Sequence, residues 1–269
     1  MGIKRFNKYY LYGIFAFTTL SCEYYLGINQ QPQFRGQNIE EGMNVFGLLR
    51  PDSIESYNKS FVYVQQIWPV LEIGGYKIIS DVTVWVEHII NNEVTETIEF
   101  PFVPSDSFFN DTLYRPLTNF TPRPGERYRL ICQYGEFPDA VGETVVPPEP
   151  RIKENSLAVA GRNVSFTLVA DSLIGMIDIY LITDNYNQIL DRIVPSMLSD
   201  TEIELTLPVD PQELILRLFA YDQNLAVYNG NSNISLNFNK YRTTISTLES
   251  GFGVFGSLNY TDVELQVVN

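Results

Sequence analysis

Few residues in this sequence could do chemistry, and their spacing limits what each could do. His88 is the one histidine among 269 residues. A Ser-His-Asp relay would have to use it, since the relay needs an imidazole to move the hydroxyl proton. A zinc site would need His88, Cys132 and carboxylates to converge. His88 instead follows Val84 and Val86 at a spacing of two, on the apolar side of a strand and near its end. A place at the rim of a packed sheet is expected. Cys132 shares the parity of Tyr128 and Leu130, so a buried, inert thiol is expected.

Gly251-x-Gly253-x-x-Gly256 satisfies the dinucleotide-binding pattern on spacing alone. That motif needs a strand before it, a helix after it and an acidic residue about 20 positions on. Here Ser257, Leu258, Asn259 and Tyr260 lead into another alternating strand. A turn or bulge is expected, with positive φ at glycine and with Phe252 and Phe255 packed inward.

Among 32 acidic residues, some pairs will suit glycoside hydrolysis by chance, and spacing selects none of them. Asp106, Asn110 and Asp111 form one oxygen-rich cluster, and Asp184, Asn185 and Asn187 another. Such loops can hold calcium, but neither has EF-hand spacing, and solvated turns are expected. For ligand stacking, Trp85 is the best candidate. It lies between polar residues, on the face opposite Val82, Val84 and Val86. Tyr24, Tyr25, Tyr221 and Tyr228 are weaker candidates.

The elements that would position these groups are strands. Val82, Val84 and Val86 alternate with polar neighbours, as do Tyr128, Leu130 and Cys132. Val164, Phe166 and Leu168 repeat the pattern. So do Ile203, Leu205 and Leu207, then Leu214, Leu216 and Leu218, then Val263, Leu265 and Val267. Period-two alternation marks half-buried antiparallel strands. Turn residues separate them at 51–53, 91–92, 122–125, 184–185 and 228–233. No stretch keeps a helical period for three turns. The pattern predicts an all-β chain of two tandem antiparallel β-sandwich domains. Pro147, Pro148 and Pro150 stiffen the chain between them, giving domains over 43–148 and 149–269. Pro124-Gly125 ahead of Tyr128 resembles the approach to a late strand in fibronectin type III domains. There the tyrosine hydroxyl caps a loop, so the first domain is expected to be Ig or fibronectin-like.

The start of the chain has a different character. Lys4, Arg5 and Lys8 precede an apolar run from Tyr9 to Leu20. That run is shorter than the roughly 20 residues of a membrane span and reads as a secretory signal. Thr19-Leu20-Ser21-Cys22 resembles the lipobox of bacterial lipoproteins. The resemblance implies a signal peptide over 1–21, lipid attachment at Cys22 and a tether over 22–42. Two or three acyl chains hold a protein on a bilayer, whereas one holds weakly. Cys132 would then be the remaining thiol, so no intramolecular disulfide is expected. Loss of residues 1–21 removes three basic residues and no acidic one, taking the net charge from −14 to −17. Such a surface repels phosphate backbones, so nucleic acid is not an expected partner.

Three stretches carry a wider resemblance: Asn44 to Asp52, Pro124 to Leu130 with Val146-Pro147 behind it, and Gly251 to Gly256. In this order after a lipobox they resemble a Bacteroidota lipoprotein family known as domain of unknown function 4249. The resemblance implies an outer-membrane, lipid-anchored protein, often encoded beside TonB-dependent receptors that import large nutrients. It implies no enzyme activity and no catalytic residues; no cofactor or metal is expected, and the membrane face stays open. The expected function is a non-enzymatic accessory or binding component of such a receptor. The alternatives are an independent surface binder of glycan or peptide, or an adhesion lipoprotein, and a hydrolase using a carboxylate pair.

Overall fold

The computed structural model describes residues 42–51, 60–67, 77–104, 113–117, 119–135, 137–183, 187–195, 199–209, 214–229 and 246–265. The first half contributes β1 (Gly42–Leu49), β2 (Phe61–Ile67), β3 (Lys77–Ile78), β4 (Thr83–Ile90) and β5 (Glu93–Glu99). It continues with β6 (Phe102–Val103), β7 (Leu113–Tyr114), β8 (Arg127–Gln133) and β9 (Ala140–Val145). The second half contributes β10 (Ala158–Ala160), β11 (Asn163–Leu168), β12 (Met176–Ile182), β13 (Asn187–Ile193) and β14 (Thr201–Thr206). After these come β15 (Leu214–Tyr221), the short helix α1 (Gln223–Asn229) and the long strand β16 (Phe252–Leu265). The described residues are all-β apart from that one helix. Among the described residues no helix is long and apolar enough to cross a membrane.

Alternation places the strands as expected. In β4 the buried residues are Val84, Val86 and His88, plus Ile89 beyond a bulge. In β8 they are Tyr128, Leu130 and Cys132. The turn joining β4 to β5 is Asn91-Asn92, both at positive φ (52° and 65°), which matches the twist of a two-residue hairpin. Tyr128 closes the corner expected of it, since its hydroxyl accepts the Arg123 amide at 2.9 Å. A second tyrosine acts the same way. Tyr114 Oη donates to the Ile79 carbonyl at 2.7 Å and accepts the Val82 amide at 3.0 Å. Burial pushes its hydroxyl pKa up to about 12.

Two private sheets face one common sheet. The first has the order β5-β4-β8-β9 and the second β10-β11-β14. The common sheet runs β13-β12-β15-β16-β1-β2-β7-β6, with β3 added to β2. Val86, Leu130 and Cys132 of the first private sheet pack on Val45, Val62, Val64 and Phe255 of the common one. Val164, Phe166 and Leu205 of the second pack on Ile179, Leu216, Leu218 and Leu265. Each such side chain contributes about 1.5–3 kcal/mol when fully buried. A third cluster joins residues of both halves. It holds Phe46, Leu48 and Tyr63 together with Met176, Leu225, Val254 and Leu258.

The all-β sandwich fold read from the sequence is present, and one strand joins its two halves. Two sandwich cores exist, but β16 completes both. Its first part pairs in parallel with β1, from Asn44↔Phe252 to Leu49↔Ser257. Its second part pairs antiparallel with β15, from Leu258 to Leu265. Residues 41–269 form one compact unit. The prolines at 147, 148 and 150 mark the crossing between private sheets and do not divide the body.

Candidate functional site

The glycine motif builds the joint where β16 passes from one core to the other. Gly253 has φ +110°, and a Cβ there would overlap the Val45 carbonyl, so only glycine lets β16 lie against β1. Gly256 is needed for approach. A Cβ would come within 2.5 Å of Leu225 Cγ and 2.8 Å of Asp222 Oδ1. Phe255 is fully buried and Phe252 partly, as the sequence pattern suggested. The motif serves strand crossing, with no helix behind it.

Asp222 sits in that joint, 3% exposed. It follows β15 and opens α1. Its Oδ1 accepts the Leu225 amide at 2.8 Å, an N-cap bond that satisfies one of the free donors at a helix start. Its Oδ2 accepts a hydrogen bond from the Thr144 hydroxyl. Thr144 Oγ1 also lies 2.9 Å from Ser257 Oγ, and Ser257 donates to the Val145 carbonyl. Asn224 donates to the carbonyls of Glu143 (2.6 Å) and Phe255 (2.8 Å). Asn259 donates to that of Pro147 at 3.1 Å. The end of β9 and the segment after it are thus tied, residue by residue, to α1 and β16.

The electrostatics of this seam rest on one feature. The Asp222 partners are all neutral, so burial dominates and raises its pKa from 3.8 to about 7, against the lowering effect of Thr144, Leu225 and Ser257. Both protonation states can be satisfied, because hydroxyls can turn to donate or accept. A cleft of about 340 Å³ opens beside it, lined by Arg127, Glu143, Thr144, Ser172, Asp222 and Gln223. A carboxyl titrating near neutral pH in a cleft suits proton transfer on general grounds. Here that carboxyl is occupied by the cap and the hydroxyls. Glu143, the cleft's other acid, takes Arg129 Nη2 at 2.7 Å. The arrangement holds the two halves together. Sequence reasoning did not single out Asp222. Its one local signal was an Asp directly after an alternating run and three residues before Leu225, the spacing of a cap.

The residues singled out from sequence do not converge. His88 is buried at the end of β4, stacked on Tyr128 with ring centroids 4.8 Å apart. Its Nε2 lies 2.6 Å from Glu126 Oε2, and its Nδ1 meets Thr95 Oγ1 at 3.3 Å. It closes the rim of the first sandwich. Cys132 pairs in register with Val84, and His88 with Tyr128. Four residues of strand keep the two apart by about 13 Å. Cys132 is fully buried, and desolvation pushes its thiol pKa far up, so it is inert. Among the described residues no cluster of His, Cys, Asp and Glu could hold a metal.

Trp85 is half-buried on the outer face of the first private sheet, in a cross-strand row with Ile131 and Val141. The adjacent row is Glu87, Arg129 and Glu143, with Arg129 bridging both acids. Tyr221 is buried and Tyr228 half-buried, both against the third cluster. Asn187 is exposed at the start of β13. Cys22, Tyr24, Tyr25, Asp106, Asn110, Asp111, Asp184 and Asn185 lie outside the described residues.

Fold and joint together define a β-sandwich protein whose two cores share one strand. No family model matches the chain. No curated protein matches it either. Among solved structures, the chicken interferon gamma receptor alpha chain is similar at 8% identity and a TM-score of 0.23, covering 69% of this chain and 91% of that one.

Proposed function

We propose that this is a non-enzymatic, lipid-anchored outer-membrane protein that serves as a binding or accessory component of a TonB-dependent receptor. The observation that carries the reading is Thr19-Leu20-Ser21-Cys22, a lipobox-like motif ahead of one compact all-β body. The resemblance to domain of unknown function 4249 supplies the receptor. The joint fits the reading too, since the carboxyl with the most shifted pKa is engaged in holding the fold. Gentle detergent extraction followed by affinity purification tests it. Co-purification of an outer-membrane barrel is the expected result. Its consistent absence, with mass spectrometry showing an unmodified Cys22, defeats the proposal. Protease shaving of intact cells reads the membrane face in the same preparation.

Trp85 favours a second reading, an independent binder of glycan or peptide. It is partly exposed in a row with Ile131 and Val141 on one side and Glu99 on the other. Aromatic faces of this kind stack on flat ligands. Trp85→Ala should then abolish binding to a glycan array and leave the melting temperature nearly unchanged.

A further inference from the structure

The helix at the joint is held by its seat. α1 has seven residues, too few for a helix to persist in water on its own. Two glycines make the seat. A Cβ at Gly175 would come within 2.7 Å of Ala226 Cβ, and one at Gly256 within 2.5 Å of Leu225 Cγ. Leu225 is fully buried there, in the third cluster with Val254 and Leu258. Polar bonds tie the helix to β9 and β16. Asp222 caps its first turn and takes the Thr144 hydroxyl, and Asn224 donates to the Glu143 and Phe255 carbonyls. The partners of the Asp222 carboxyl are neutral: the Thr144 and Ser257 hydroxyls and the backbone amides of Leu225 and Ser257. The charged groups around it are engaged elsewhere or lie across the cleft. Arg127 of β8 and Glu143 of β9 line that cleft with opposite charges, and Glu143 is paired with Arg129. Ahead of β12, Asp171 accepts the Leu173 amide. On β15, the Tyr221 hydroxyl is turned to Asp178, which Arg192 holds. β16 and α1 present uncharged groups there, Ser257, Gln223 and Asn224. An ionised Asp222 is thus a buried charge surrounded by dipoles, and parting α1 from β9 is the way to hydrate it.

We propose that α1 is a proton-operated latch, seated on β9 and β16 while Asp222 is protonated and lifted from them when Asp222 ionises. Lifting leaves both sandwich cores folded, because each has an apolar cluster of its own. It uncovers Leu225 together with Val254 and Leu258, so the seam gains an apolar surface as pH rises. The cleft of about 340 Å³ beside Asp222 is the path for water and the proton. The seated form binds the proton, and the lifted form, with its carboxyl in water, releases it. Seating is therefore favoured in acid and lost as pH rises. The upward shift that burial gives this carboxyl, from 3.8 to about 7, has the sign that the latch needs and sets its working range between those values. The latch does not depend on the lipid anchor or on a receptor.

Native-state hydrogen exchange on the whole chain is the test. The protection of the Leu225 and Ala226 amides, corrected for the intrinsic rate at each pH, should fall about fiftyfold from about pH 5 to pH 7 and level off above about pH 8. Dilute urea should leave that fall unchanged, since urea speeds exchange only where large surface is exposed. Asp222→Asn has no proton to titrate and keeps a capping side chain, so it should show no such fall. Protection at Leu225 that ignores pH in the wild type overturns the proposal, as does a fall that Asp222→Asn retains. Equal loss at Leu225 and at Val86 and Phe166 of the two cores, with the same urea dependence, also overturns it, because the helix would then leave its seat only when the whole fold opens.

Discussion

Two buried aspartates near each other in the fold have opposite surroundings. Asp178 on β12 is 1% exposed and faces Arg192 across the strand pair. The guanidinium grips it with two bonds of 2.7 and 2.8 Å, and Tyr221 Oη donates at 3.1 Å. Asp222, one residue beyond Tyr221, is about as deeply buried and has no such cation, only hydroxyls and backbone amides. The first carboxylate holds two strands of one sandwich together. The second ties two sandwiches to each other. A charge matched only by dipoles is sensitive to the proton concentration around neutrality.

Removing the cation is the harshest way to break this contrast. Arg192→Met leaves Asp178 buried without its counter-charge and should cost about 3–5 kcal/mol in urea denaturation. A loss under 1 kcal/mol would mean that the pair holds nothing. Asp222→Asn sharpens the other side. The folded pKa of about 7 lies above the ordinary 3.8, so the native state binds the extra proton. The stability that this adds is full below about pH 4 and is lost as pH rises through 7, a swing of about 4 kcal/mol. The variant should therefore gain on the wild type as pH rises from 4 to 8. A difference that ignores pH would contradict the assignment. Thr144→Val should cost about 1–2 kcal/mol and raise the midpoint of that pH dependence further, because it removes a donor to the ionised form. Tyr221→Phe, which leaves Asp178 its guanidinium, should cost about 1 kcal/mol by thermal melting.

The private sheets were the legible part of the molecule. Each has one face on a core and one toward solvent, so Val84-Val86, Leu130-Cys132 and Val164-Phe166 print the period-two pattern in the sequence. The common sheet has both faces covered near its centre. β1 has seven buried residues of eight, and such a strand shows no alternation from which to infer its pairing. That β16 pairs with β1 is invisible locally, because the partners lie about two hundred positions apart. The glycines signalled positive φ in a turn or bulge, but not the strand crossing they serve. The joint was hidden for the same reason. Asp222, Thr144 and Ser257 come from three distant segments, and none carries a motif of its own. The helix α1, seven residues long, is too short to show a helical period.

The strand that both cores share also sets an order of events. A chain made from its N-terminus reaches Leu49, and then Val145, without the strand that must lie beside β1. The first core stays open until residues 252–257 arrive. Closing a loop of some two hundred residues is slow, and contacts this far apart in sequence lower folding rates. The half that is synthesised first is therefore among the last parts to be finished.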